Sequence, residues 1–286
     1  MSVSVVLIAA LAPGIFWLWF FLRGRSYHPN PRRLVAGTFF LGMVAVIPAG
    51  LIEFLLAPDI PDSIGASAGT AAGVMFLIVG PVEELSKFFA VRLWAARSLH
   101  FDEPLDGLVF AAAASLGFAS AENVLYAVQY GPEVMIVRGP LSTMAHVVFG
   151  SFWGAALARK QLAPERRDLL ITGLLFAAAA HGAFNFAAVT GFWWVSVLLA
   201  GLGAVRVLRL FQWGRQVSPF RLRRNVPVLT CTGCGHAYRL GAKFCDSCGL
   251  STEGMAGGIS CSRCAAVNRP AVAYCTSCGD RFVRLL

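Results

Sequence analysis

Apolar runs of about twenty residues recur along this chain, each long enough as a helix to cross the roughly 30 Å hydrocarbon core of a bilayer. They are placed at Val3–Leu22, Leu34–Leu56, Gly73–Trp94, Gly107–Tyr126, Gly139–Ala158, Leu169–Val189 and Phe192–Leu210. Lipid offers the backbone no hydrogen bonds, so each segment must satisfy its own. The pattern therefore imposes an all-α polytopic membrane protein with about seven transmembrane helices. Composition agrees: 57% of the 286 residues are hydrophobic and 14% are charged, against roughly 45–50% and 25% in soluble domains. The net charge of +9 would otherwise suggest nucleic acid, but the basic residues gather at the ends of the apolar runs, where topology explains them first.

Those ends set an orientation. Arg23, Arg25, Arg32 and Arg33 follow the first run, Arg92 and Arg97 close the third, Arg159 and Lys160 the fifth, and Arg166 and Arg167 precede the sixth. All fall on one side, which the positive-inside rule makes the cytoplasm, with the N-terminus outside the cell membrane and the C-terminus cytoplasmic. No basic segment precedes the first run, so it reads as a retained span rather than a cleaved leader. From Leu169 to Cys245 there is no acidic residue, while Arg206, Arg209, Arg215, Arg221, Arg223 and Arg224 surround the last span and its exit. That is a stop signal with an added attraction for anionic lipid.

Within the third run lies Gly80-Pro-Val-Glu-Glu-Leu-Ser-Lys-Phe-Phe-Ala-Val91. An ionisable group at mid-bilayer depth costs about 2.5–3.5 kcal/mol on insertion scales and marks function by default. Glu83 and Lys87 are spaced i,i+4 for a same-face pair, and Glu84 projects about 100° away, so one carboxylate is neutralised while the other stays free to act as a base. Pro81 should kink the helix or free backbone groups just upstream. Further polar groups interrupt later runs: Glu122 with Asn123 and Tyr126, His146, and the i,i+4 pair His181 and Asn185. At about 1.5 Å per residue, Glu122, His146 and His181 lie roughly 10 Å below the external surface and the Glu pair slightly deeper. Four helices thus offer ionisable groups at one level, the arrangement a buried catalytic or transport site requires.

The order Glu-Glu-x-x-Lys, Glu-Asn-x-x-Tyr, His-x-x-x-Gly and His-x-x-Phe-Asn, each in its own span over about residues 70–190, resembles the PrsW family of intramembrane proteases. That family is similar in turn to the CAAX prenyl endopeptidase group. The resemblance implies hydrolysis of a peptide bond in a membrane-protein substrate, within or beside the bilayer. Glu83 and Glu84 would supply the water-activating base, and His146, His181 and Asn185 would bind the oxyanion or orient the water. Glu122 would be the additional family carboxylate, supported by Lys87, Asn123 and Tyr126. Lysine here follows the second Glu by three positions, where the prenyl endopeptidases place arginine four after it, so the choice between Glu83 and Glu84 stays open.

The residues alone admit two chemistries. A desolvated carboxylate with imidazole donors can activate water and meet the oxyanion without metal, or two His and one Glu can hold a catalytic zinc. The chain contains no His-Glu-x-x-His motif, which favours the metal-free version. Two non-proteolytic readings stand beside it, a receptor or scaffold whose polar cluster packs the bundle, and an ion-coupled transporter, although no inverted repeat supports the latter. Tyr126 and the tryptophans read most simply as interface anchors.

All eight cysteines fall after residue 230, so the chain divides at 1–228 and 229–286. Cys231-x-x-Cys234 and Cys245-x-x-Cys248 recur as Cys261-x-x-Cys264 and Cys275-x-x-Cys278, every cysteine moved by thirty, with Phe244 and Tyr274 superposing. Each set of four thiolates suits one tetrahedral structural Zn²⁺ and resembles a short zinc ribbon (231–248 and 261–278). A reducing cytoplasm argues against disulfides, and units this small need the metal as folding energy. Arg239, Lys243, Arg263, Arg269, Arg281 and Arg284 against Asp246, Glu253 and Asp280 is too thin and scattered a charge for a nucleic-acid surface, so a cytoplasmic protein partner is the expected ligand.

Overall fold

The computed structural model describes the chain except residues 1–2, 24–29, 59, 61–64, 163–167, 219–227, 240–243, 246, 252–258, 262, 265, 269–273 and 281–286. Arg25, Arg166, Arg167 and the connector arginines Arg221, Arg223 and Arg224 lie outside the described residues. Two compact units result, Met1–Ser218 and Pro219–Leu286.

The first unit is a helical bundle: α1 Val3–Leu22, α2 Arg32–Val44, α3 Val46–Leu56, α4 Ala68–Val74, α5 Gly80–Leu93, α6 Pro104–Tyr130, α7 Thr143–Leu162, α8 Asp168–Val189 and α9 Trp193–Gln216. Among the described residues, six stretches are long and apolar enough to cross a membrane: α1, Arg32–Leu56 (α2 running into α3), α6, Pro132–Lys160, α8 and α9. The seventh expected span is the one that carries Glu83, Glu84 and Lys87. It is assembled from α4, a π-helical segment Met75–Val79 and α5 in direct succession, and its charges and interruption remove the apolar signal rather than the helix.

α6 is the axis of the bundle. Every residue from Pro104 to Ser120 is buried, as befits a helix apolar all round, and it packs against α1, α2, α5, α7 and α9. Small residues permit the closeness: a Cβ on Gly117 would run into Phe39 O of α2, and one on Gly42 into Ala114 O. The start of α6 is fixed by a capping box of Glu103 and Asp106. Asn30 donates to Asp106 Oδ1 at 2.7 Å, and Ser218 donates to Glu103.

Two π-helical segments sit where the chemistry begins. Met75–Val79 leads into α5, and Arg138–Ser142 leads into α7. A π-turn shifts the helical register by about one residue and tends to occur at functional sites. Here the first directly precedes the helix that carries the Glu pair. α5 crosses α8 so closely that a Cβ on Gly80 would lie 2.5 Å from Ala178 O, and one on Gly182 2.8 Å from Met75 O.

In the second unit four short strands, β1 Val228–Thr230, β2 Ala237–Arg239, β3 Ile259–Ser260 and β4 Val267–Asn268, form one antiparallel sheet in the order β2-β1-β3-β4. The β1–β3 pairing joins the two Cys-rich repeats, and the first cysteine of each follows directly on its strand.

Candidate active site

Glu83, Glu84, Lys87, His146 and His181, from α5, α7 and α8, meet in the interior of the bundle and are all buried. Lys87 is fully enclosed, and its ammonium donates to Glu84 Oε1 at 2.8 Å, Glu83 Oε2 at 3.2 Å and His146 Nδ1 at 2.9 Å. The i,i+4 spacing suggested that Lys87 neutralises Glu83 and leaves Glu84 free. The helix instead brings both within reach, with Glu84 nearer, and it is Glu84 that is fully engaged. It accepts from Lys87, from His181 Nδ1–H at 3.1 Å and, through Oε2, from Trp153 Nε1–H at 3.0 Å. Glu83 lies on the wall of a cavity of about 540 Å³, with His181 Nε2 3.6 Å from its Oε2. Of the two carboxylates, Glu83 borders this cavity and Glu84 is not among its lining residues.

Trp153 also departs from the expectation that tryptophans anchor the interface. It is completely buried, edge-on to Phe88 with ring centres 5.7 Å apart, and spends its N–H on Glu84. Trp19, Trp94, Trp193 and Trp194 do face outward, as an aromatic belt requires.

A second chain of contacts fixes His146. Glu122 Oε2 lies 3.0 Å from His146 Nε2 and its Oε1 3.1 Å from Arg138 Nη2. Arg138 covers the Tyr126 ring at 3.5 Å and donates from Nε to Asn123 Oδ1 at 3.3 Å. Asn123 in turn donates to Thr143 Oγ1 at 2.9 Å. Tyr126 is thus part of the site's support and the cavity wall, not simply an anchor. Asn185 lines the same cavity. The remaining face of His181 is held by Phe149, stacked at 4.6 Å and 20°.

These contacts determine which nitrogens are available. With Nε2 facing Glu122, the His146 Nδ1 lone pair accepts from Lys87 at 2.9 Å; with Nδ1–H directed at Glu84, His181 presents Nε2. One ligand atom each from Glu83, His146 and His181 therefore converge, all within 4.8 Å of one another. Two imidazoles, each backed by a carboxylate, plus the Glu83 carboxylate make a donor set that fits a catalytic divalent metal once the Lys87 ammonium, which donates to both Glu83 and His146 Nδ1, gives way. No contiguous motif could have shown it, because the three residues come from three helices. The same atoms can also hold a water, with the Lys87 ammonium supplying the positive charge.

In the ribbons, Sγ separations are 3.6 Å (Cys231–Cys248), 3.7 Å (Cys234–Cys245), 3.5 Å (Cys261–Cys278) and 3.6 Å (Cys264–Cys275). These match the roughly 3.8 Å edge of a tetrahedral zinc–thiolate site and are far longer than the roughly 2.05 Å of a disulfide. Gly235, Gly249 and Gly279, each just after a cysteine, take φ of 73°, 71° and 72°, the left-handed turn a knuckle needs and that glycine supplies.

Fold and site together define a multi-span membrane hydrolase, with a carboxylate–imidazole centre sunk in its bundle. Residues 30–211 match the PrsW family intramembrane metalloprotease description, and residues 231–279 match the double zinc ribbon. The chain belongs to the PrsW family and is an intramembrane protease. Protease PrsW of Bacillus subtilis is 33% identical over 183 residues, 63% of this chain and 81% of that one. Protease PrsW of Geobacillus kaustophilus is 33% identical over 179 residues, 62% and 77% of the two chains, and that of Clostridioides difficile 26% over 207 residues, 70% and 84%. No solved structure matches the chain. The protein is an integral multi-pass membrane protein whose tail carries two structural Zn²⁺ sites.

Proposed function

We propose that this protease cleaves a membrane-associated regulatory protein by water attack at the scissile amide, with Glu83 as the reacting carboxylate and Glu84 as its buried support. The observation that carries this division is that Glu83 borders the cavity while all the hydrogen-bonding capacity Glu84 directs at its neighbours is met by Lys87, His181 and Trp153. A substrate segment entering the cavity places its carbonyl beside Glu83. Glu83 Oε2 accepts a proton from the water, and His181 Nε2, 3.6 Å away, takes it onward to the leaving amine. Asn185 and the Lys87 ammonium supply positive dipole and charge for the oxyanion. If a divalent metal is bound, Glu83, His146 and His181 hold it, and it supplies Lewis-acid polarisation and a more acidic water. Glu122 and Arg138 keep His146 in the tautomer either version needs.

The rest of the molecule has a proposed disposition too. The positive-inside rule, applied to Arg23, Arg32, Arg92, Arg97, Arg159 and Arg215, supports an N-terminus outside and a tail in the cytoplasm, and on this reading residues 1–228 are the protease and 229–286 a ribbon module that recruits a cytoplasmic protein. The test is cleavage of single-span proteins by purified chain in liposomes. Wild type should cut, and Glu83→Gln should insert, fold and not cut; a Glu83→Gln protein with wild-type turnover would remove the assignment.

A further inference from the structure

The cavity in front of Glu83 contains an acid that neither motif nor catalysis accounts for. Glu53, on α3, lines the cavity together with Glu83 and Glu122. Its Oε1 is out of contact with solvent and has no hydrogen-bonding partner among the described residues. A cation on the cavity wall, Arg138, lies 3.1 Å from Glu122 without a well-aligned hydrogen bond from its Nη2, donates from Nε to Asn123 at 3.3 Å and covers the Tyr126 ring at 3.5 Å. An acceptor held in a membrane bundle without a donor is costly, so its retention asks for a donor that arrives with a ligand.

The surroundings describe that ligand. Val46, Ala49, Gly50 and Glu53 lie on one stripe of α3 and all border the cavity. A Cβ added at Gly50 would meet nothing within 4 Å, so open space runs alongside the carboxylate. Leu125, Val137 and Leu141 complete an apolar wall. An apolar slot ending in a carboxylate suits a long aliphatic stem with a cationic head.

We propose that Glu53 is a specificity-determining residue, taking the lysine or arginine side chain of a substrate whose scissile bond lies before Glu83. This rests on the proteolytic reading of the cavity, and the test separates the two. The probes are single-span Leu/Ala peptides in liposomes, in which one lysine, norleucine or glutamate is moved position by position through the outer third of the span. Binding is measured on the Glu83→Gln chain by fluorescence, and cleavage on wild type.

At one or two adjacent positions lysine should outperform norleucine by roughly tenfold to a hundredfold, the scale of one charge-assisted hydrogen bond. Adding Glu53→Gln should bring that ratio near one, and Glu53→Lys should invert it towards the glutamate peptide. No lysine-preferring position, or a preference that survives Glu53→Gln, overturns the proposal. A lysine preference in binding that depends on Glu53, with no cleavage of any peptide by wild type, would uphold the cation site and sink the proteolytic role given to Glu83.

Discussion

Glu83→Gln and Glu84→Gln should separate activity from stability, although the residues are neighbours. Glu84 accepts from an ammonium at 2.8 Å, an imidazole at 3.1 Å and an indole at 3.0 Å. A glutamine there turns a donor towards at least one of these donors and withdraws the charge facing Lys87. Removing one partner of a buried ion pair costs about 3–5 kcal/mol, and Glu83 still compensates Lys87 in part at 3.2 Å, which places the loss near the lower end, about 3 kcal/mol. At about 2–4 °C per kcal/mol for a unit of this size, Glu84→Gln should melt roughly 6–12 °C early. Glu83→Gln weakens two longer contacts, to Lys87 at 3.2 Å and His181 at 3.6 Å, and leaves Lys87 compensated by Glu84 at 2.8 Å, a loss of about 1 kcal/mol, yet should lose about 10²–10⁴ in turnover through the lost proton acceptor. The assay is thermal unfolding in detergent by tryptophan fluorescence, run beside cleavage in liposomes. Equal melting of the two variants, or a Glu83→Gln protein that cuts normally, would refute the division of labour.

Three further outcomes follow from named contacts. Glu122→Gln should lower turnover about 10–100-fold with little change in substrate binding, because it removes the carboxylate that orients His146 while leaving a side chain of the same size in the cavity wall; a KM-only effect measured by initial rates would contradict this. Purified protein should hold two zinc ions per chain by atomic absorption from the ribbons, and Cys245→Ser should remove one of them while leaving the Cys261–Cys278 site loaded. Gly80→Ala should destabilise the bundle by about 1–3 kcal/mol in a thermal melt, since its Cβ would fall 2.5 Å from Ala178 O and force α5 from α8.

The spans were legible because hydropathy over twenty residues is a bulk property, little affected by where a helix bends. What it misses is local: α2 and α3 meet at Ala45, and the third span is three helical pieces with a π-turn. The cluster was legible as a set of ionisable residues at one depth: His181 lies 3.6 Å from Glu83 and 3.1 Å from Glu84, His146 is joined to the pair through Lys87 at 2.9 Å, and Glu122 stands behind His146 at 3.0 Å. Its wiring was not. Whether Lys87 pairs with Glu83 or Glu84 depends on its side-chain conformation, since i,i+3 and i,i+4 partners are both within reach on one helix, and the burial of Trp153 depends on which face of α7 turns inward. Arg138 stands one residue before the predicted fifth span and belongs to none of the motifs. Glu53, four residues from the end of the second run, carried the same signal as Glu83, an acid inside an apolar stretch, without a neighbouring motif to draw attention to it.

Hydrolysis at Glu83 is tested most directly by oxygen-18 incorporation. Purified chain and a single-span substrate are reconstituted in liposomes in H₂¹⁸O, and the products are read by mass spectrometry. One ¹⁸O in the new C-terminal carboxylate, produced by wild type and absent with Glu83→Gln, is the predicted result. New termini formed equally by the Glu83→Gln chain, or a membrane-embedded substrate that yields none with wild type, would contradict it.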